Sequence, residues 1–458
     1  VPAPLNSAQR VLAIGLVLGV TLVAFETTAV ITALPTITDD LGGDSLYGVT
    51  LAAYTLANLV ALVAAGELAD RRGPALPYLI SVATFITGLL VAAAAPSMPI
   101  VVVGRVLQGA GTGGFAPIAY LLVKRAFPDD RQATMYAFLS AGWVLPSLVA
   151  PALAGTVTEQ FGWRWVFLGI VPFAFTVGAL AVRPMLGFRP VVLADRTSSR
   201  VPLALGAAAG IGAVVTGLQF ANPVAAGVAI IAGIALAMPC LRRLFPPGVG
   251  RARRGLPAVV ACRVLATATF LGVDSFVPLA ADRIHGAPPR VQGFVIIGSA
   301  VSWTGGQWIV AKRPAADPSR PVRIGFVCLL IGIVLVAPVL YAGWPLWATF
   351  LAWTVGGLGM GLLFNPTTVS AMSYADDGRE GTVSSQVNLA DSLGFSLMGG
   401  VGGAMVALAD RTSLSLRSAL ATNFALAAVL ACVGIVAARG VRHSGAVRGA
   451  PVAAAPRP

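Results

Sequence analysis

Apolar residues fill this chain in runs of about twenty, and short charged stretches divide them. About twenty apolar residues in helical form cross the hydrocarbon of a bilayer. Fourteen such runs are predicted, at 10–36, 48–66, 76–96, 100–124, 132–158, 164–183, 203–220, 224–240, 256–281, 291–311, 322–341, 346–372, 381–409 and 415–438. The seventh and eighth are the shortest, and Asn222-Pro223 is the only turn signal between them. If they make a re-entrant hairpin or lie on the surface, twelve spans remain. The first run follows a single Arg10, is too long for the core of a signal peptide and carries Glu26, so it is read as a retained helix.

Composition agrees with this pattern. Of 458 residues, 57% are hydrophobic and 11% charged, against about 25% charged in soluble domains, so a soluble fold is excluded. The net charge of +13 is a topology signal. With the N-terminus inside, about 25 of the 31 Lys and Arg residues fall on one side, at Arg71-Arg72, Lys124-Arg125, 183–200, 242–254, 312–323 and the tail from Arg439. Those charges are split among short loops, which argues against a nucleic-acid partner, and Arg251 to Arg254 suits anionic lipid. Cys240, Cys262, Cys328 and Cys432 all lie in apolar stretches without paired spacing, so neither a disulfide nor a metal is expected. The abundance of Arg, Ala, Val and Gly is that of a GC-rich bacterial genome.

Between the second and third runs stands Gly66-Glu67-Leu68-Ala69-Asp70-Arg71-Arg72-Gly73. A charged, glycine-bounded turn there must sit at a membrane face. Its glycines permit close approach and turning, and Asp70 suits a helix N-terminus on another part of the molecule. The chain also echoes itself at an offset of about 240–248 residues: Gly66 to Pro74 by Gly306 to Pro314, Gly109, Gly111, Gly113 and Pro117 by Gly357, Gly359, Gly361 and Pro366, and Asp129-Asp130 by Asp376-Asp377. Two parallel six-helix halves joined by an inserted pair fit this spacing. The octet resembles the Gly-x-x-x-Asp-Arg-x-Gly signature of major facilitator superfamily transporters, with Pro74 and Leu76 where the family usually has basic residues.

Ionisable groups inside spans cost about 2.5–3.5 kcal/mol each on insertion scales, which makes them functional candidates. Glu26 lies in Phe25-Glu26-Thr27-Thr28-Ala29-Val30-Ile31-Thr32-Ala33-Leu34-Pro35, roughly 15 Å from the outer end of its run. This resembles the first-helix signature of the fourteen-span drug:proton antiporters, where the acid is usually aspartate. Arg105, in Gly104-Arg105-Val106-Leu107-Gln108-Gly109, resembles the fourth-helix element that this family links to proton coupling. A buried guanidinium needs acceptors, so Arg105 pairs with Glu26 either as a switch or as a permanent structural bridge. Asp274 opens the second half as Glu26 opens the first, and Asp391 either lines the inner cavity or caps an inner gate. In this reading Arg105 is the one cation set against three intramembrane acids.

Asn58, Gln108, Asn365, Gln386 and Asn388 are candidate cavity linings, although helix–helix adhesion is the commoner use of such residues. Trp143, Trp303, Trp308 and Trp353 are candidates to stack on a flat cation. Pro146, Pro151 and Gly155 are a degraded form of the antiporter element Gly-Pro-x-x-Gly-Gly, and are expected to bend the fifth span and pack it tightly.

The resemblance covers essentially the whole chain. It implies an all-α major facilitator fold with a six-helix bundle over 1–183, a linker with two inserted helices over 184–255, a second bundle over 256–440 and a disordered tail over 441–458. The implied activity is proton-coupled export of amphiphilic, cationic small molecules from a bacterial inner membrane, with both termini cytoplasmic. Glu26, Arg105 and Asp274 would couple protons, while Gly66, Asp70, Arg71 and Gly73 would gate. The implied partners are substrate, protons and membrane lipid, with the protein monomeric and no nucleic acid, cofactor, metal or enzymatic chemistry. The rival readings are an exporter of a lipid or cell-envelope metabolite on the same fold, and a receptor or scaffold that moves nothing.

Overall fold

The structure, a computed structural model, describes residues 5–42, 46–188, 199–218, 220, 222–313, 315–411 and 413–444. Most of the expected tail, 445–458, and the linker residues 189–198 lie outside the described residues. Every regular element among the described residues is helical. The first half comprises α1 (Ser7–Leu41), α2 (Tyr47–Arg72), α3 (Ala75–Ala93), α4 (Met98–Thr112), α5 (Phe115–Ala126), α6 (Asp129–Ala141), α7 (Val144–Phe161) and α8 (Arg164–Met185). The inserted pair is α9 (Val201–Gly217) and α10 (Pro223–Leu244). The second half comprises α11 (Leu256–Asp274), α12 (Val277–His285), α13 (Pro289–Lys312), α14 (Ser319–Val336), α15 (Leu346–Ser373), α16 (Glu380–Arg411) and α17 (Leu416–Ala437).

Among the described residues, eleven helical segments are long and apolar enough to cross a membrane. Helix α9 is apolar and has 17 residues, about 25 Å of rise, at the lower limit of length for a span. It lies antiparallel to α10, with Gly206 against Cys240, Gly210 against Gly233 and Ala237, and Gly217 against Ala229 and Ile230. The Asn222 side chain caps α10 by accepting from the N–H groups of Val224 and Ala225, so the predicted turn is a helix start.

Three predicted spans are each split in two. The splits fall at Gly113-Gly114, Gly142-Trp143 and Ser275-Phe276, and in each a single i→i−3 bond replaces the helical one: Gly114 to Gly111, Trp143 to Ser140 and Phe276 to Val273. Each lies just ahead of a proline, Pro117, Pro146 or Pro278, which has no N–H for the carbonyl four residues back, at Gly113, Gly142 or Asp274. Glycine or serine at the split absorbs the bend. Pro35, Pro151, Pro172 and Pro366 sit inside unbroken helices. The fifth span therefore breaks ahead of Pro146, while Pro151 interrupts nothing. A Cβ at Gly155 would meet nothing within 4 Å, so the expected tight packing is absent there and falls to the neighbouring buried Ala150 and Ala154.

The two halves repeat one packing device. In the first, a Cβ on Gly88 would press on Gly104 and Gln108, and one on Gly111 on Phe85; in the second, Gly325 abuts Gly359 and Gly332 abuts Gly356. Helices α3 and α4, like α14 and α15, thus meet at backbone distance, the small-residue packing that drives association in lipid.

Candidate functional site

The intramembrane acids occupy three different environments. Glu26 on α1 and Arg105 on α4 form a buried ion pair through Oε1 and Nη1. The same Nη1 donates to Gln108 Oε1 at 2.6 Å, and Gln108 Nε2 reaches the Gly88 carbonyl at 3.3 Å. The Tyr54 ring lies 4.1 Å from the guanidinium carbon, and the Tyr54 hydroxyl meets Thr27 Oγ1 at 3.3 Å. The pair is single-pronged. Glu26 Oε2 and Arg105 Nε are buried without a hydrogen-bond partner.

Asp391 on α16 is held quite differently. Arg263 of α11 grips it with two prongs, Nε to Oδ1 at 2.9 Å and Nη2 to Oδ2. Nη1 of Arg263 donates to the Phe364 carbonyl and to Thr368 Oγ1, each at 3.1 Å, and the guanidinium stacks 3.4 Å over the Phe364 ring. Asp391 caps no helix. The charge balance drawn from the sequence is corrected here: among the described residues the spans hold two buried arginines, each with its own carboxylate. From the sequence, Arg263 is too far along its helix to pair with Asp274, and the carboxylate it does pair with lies 128 residues away.

Asp274 is the acid without an arginine. It sits half-buried at the α11–α12 split, and Oδ1 accepts from Ser299 Oγ at 3.0 Å and Trp353 Nε1 at 2.7 Å. Trp353 is wholly buried and stacks on Phe270, so it serves this acid rather than a substrate face.

The two halves close on each other at the end that carries Arg71, Arg125, Arg200 and Lys312. Asp70 Oδ1 accepts from Gly381 N at 2.7 Å, and Oδ2 accepts from Thr382 N at 2.9 Å and Thr382 Oγ1 at 2.7 Å. Asp70 therefore caps α16 from the other half, where backbone donors and the helix dipole favour an anion. Gly66 and Gly381 meet at backbone distance, and Ser385 Oγ donates to the Leu62 carbonyl at 2.8 Å. Gly73 ends α2 at φ 80°, a conformation that favours glycine. Arg71 pairs with Glu67 one turn back. Arg125 forks onto Glu380 at 2.9 and 2.7 Å, a link between halves that the sequence reading missed. Its only signal was an arginine and a glutamate at corresponding inner ends.

The candidate linings disperse. Asn58 donates to Thr112 Oγ1 at 3.1 Å, and Asn388 to the Ser384 carbonyl of its own helix at 2.8 Å. Asn365 is buried and bridges the halves by donating to the Ala133 carbonyl at 2.8 Å. Gln386 donates to the Leu244 carbonyl at 2.8 Å. Of the neutral candidates, only Gln108 touches an intramembrane ion pair.

Three comparisons bear on this arrangement. The family description "Major Facilitator Superfamily" matches residues 16–399. The "Probable multidrug-efflux transporter" of Mycobacterium tuberculosis (strain ATCC 25618 / H37Rv) is 29% identical over 413 residues, 85% of this chain and 86% of that protein. "Multidrug resistance protein 3" of Bacillus subtilis (strain 168) is 24% identical over 86% of this chain and 78% of its own. The crystal structure of the human organic anion transporter MFSD10 (TETRAN) shares the fold at a TM-score of 0.72 and 13% identity, over 95% of this chain and 100% of that one. With an all-helical, multi-pass architecture and a match over most of its length, the chain belongs to the major facilitator superfamily, a class of membrane transporters.

Proposed function

We propose that the protein is a proton-coupled exporter of amphiphilic cations, working by alternating access in a bacterial plasma membrane. Its basic end then faces the cytoplasm, following the positive-inside rule, and Asp70 holds that end shut. The observation that carries the reading is the single-pronged Glu26–Arg105 pair. Glu26 Oε2 is buried and takes no second prong from Arg105, with only the neutral Tyr54 and Thr27 hydroxyls beside it, and a buried carboxylate oxygen without a charged donor is the atom that a proton satisfies. Protonation there cancels the Coulomb attraction and leaves Arg105 to Gln108, which it already touches. The charge that binds the first and fourth spans is thereby switched by one proton. Asp274, without an arginine, is the group that meets a monovalent cation or a second proton.

Glu26→Gln in proteoliposomes tests this. Uphill efflux driven by a pH gradient should disappear, while downhill exchange of labelled substrate continues. Undiminished pH-driven efflux would remove Glu26 from the coupling. The same assay on uncharged lipids and cationic dyes separates this cargo from a lipid cargo.

A further inference from the structure

One turn of α2 ahead of Asp70 stands Glu67, almost fully buried. Its Oε1 pairs with Arg71. Its Oε2 accepts from the backbone N–H of Arg200 at 2.9 Å and from Ser199 Oγ at 3.3 Å. Arg200 is the N-cap residue of α9, and its own side chain does not cap the helix. At the other foot of the inserted pair, the Leu244 carbonyl ending α10 accepts from the Arg200 guanidinium and from Gln386 Nε2 of α16. Asp70 and Gln386 both join α16 to neighbours at this end, so α2, α16 and the inserted pair form a closed ring of hydrogen bonds. Above it, Leu59, Leu62 and Val63 of α2, Ala204 and Ala207 of α9, and Leu389 of α16 belong to one buried apolar cluster. The void at the junction is about 10 Å³, room for one water at most.

We infer that Glu67 is a positioning residue of the inner gate: by capping α9 it makes the inserted helical pair a strap that lies across α2 and α16 and holds the basic end closed. This rests on the alternating-access reading above. Helix α9 cannot keep both its cap on Glu67 and its tie through Leu244 to α16 once α2 and α16 separate. Opening the gate therefore breaks a helix cap as well as the Asp70 contacts.

The full-length protein, its four native cysteines replaced by alanine, takes spin labels at Phe161→Cys and Gly343→Cys. Both positions are exposed at the far end of the bundle, one in each half. The distance distribution in nanodiscs reports the two arrangements. Glu67→Ala should shift the population ratio about fivefold toward the short distance, the size expected for losing one helix cap. Glu67→Gln keeps an acceptor for Arg200 N–H but loses the Arg71 pair, and it should restore most of the wild-type ratio. Gln386→Ala should shift the ratio in the same direction as Glu67→Ala. An unchanged ratio in folded Glu67→Ala, while substrate still shifts the distances, overturns the strap and leaves the carrier intact. A Glu67→Gln variant matching Glu67→Ala also overturns it, because the Arg71 pair would then be the active contact. Distances that respond to neither substrate nor pH in the wild type overturn the carrier reading, and the strap with it.

Discussion

Arg263 and Asp391 are joined by two parallel N–H···O contacts, while Arg105 and Glu26 are joined by one. The first pair has its guanidinium further satisfied by Phe364 and Thr368. The second leaves an atom on each partner unmatched. A forked, saturated bridge holds helices, and a single-pronged one is suited to exchange.

Asp391→Asn should therefore act mainly on stability, because it leaves the buried Arg263 without its anion. The expected loss is about 3 kcal/mol, and a matched apolar replacement at both positions should recover most of it. Thermal unfolding in detergent of the two variants checks this. Equal instability of the single and double replacements would show that the pair does more than hold helices.

Asp70→Asn keeps one acceptor and turns an amide toward the N–H groups of α16. Loss of the charged cap should weaken the closed basic end by about 1–2 kcal/mol. A cysteine placed along the inner face of α2 should then react faster with a reagent supplied from the basic side.

Gly66→Ala improves local helix propensity by roughly 1 kcal/mol. Its Cβ would nevertheless overlap Ser385 Oγ and the Gly381 carbonyl. The variant should fold, resist closure of the basic end and transport poorly. Wild-type transport together with wild-type thermal stability would show that α2 and α16 do not need backbone contact there.

Asp274→Asn should lower transport of a monovalent cationic amphiphile at least about tenfold, and that of a neutral analogue much less. A partner charge within 4 Å contributes about 4 kcal/mol at an effective dielectric near 20. A matched cationic and neutral substrate pair, assayed in parallel, decides it.

Pro278→Ala returns an N–H to the carbonyl of Asp274 and should fuse α11 with α12. Thermal stability should rise by a few degrees while maximal transport rate falls. A variant both stable and fully active would mean that the split is not used in the cycle.

The spans were readable because lipid demands long apolar runs, and the family was readable from a few glycines, prolines and charges at fixed spacing. The partners of those charges were harder. Glu26 and Arg105 each belong to a recognisable motif, so their pairing could be anticipated. Arg263 and Glu380 belong to none of the motifs, and only tertiary packing sets them against Asp391 and Arg125. The split helices were within reach, since each split lies two to four residues ahead of a proline. Pro35, Pro151, Pro172 and Pro366 show why that signal alone is insufficient: the helix continues through each of them.

Pairing each buried arginine with its own acid also has an electrical consequence. The Arg263–Asp391 bridge carries no net charge throughout, so rocking it through the membrane field does little electrical work. In the proposed cycle a proton carried inward on Glu26 balances a monovalent cation carried outward beside Asp274. Each elementary charge transferred would otherwise be worth about 2.3 kcal/mol per 100 mV. On the proposed reading, one-for-one exchange of a proton for a monovalent cation is electroneutral, and uphill efflux should respond to the pH gradient and hardly to the membrane voltage.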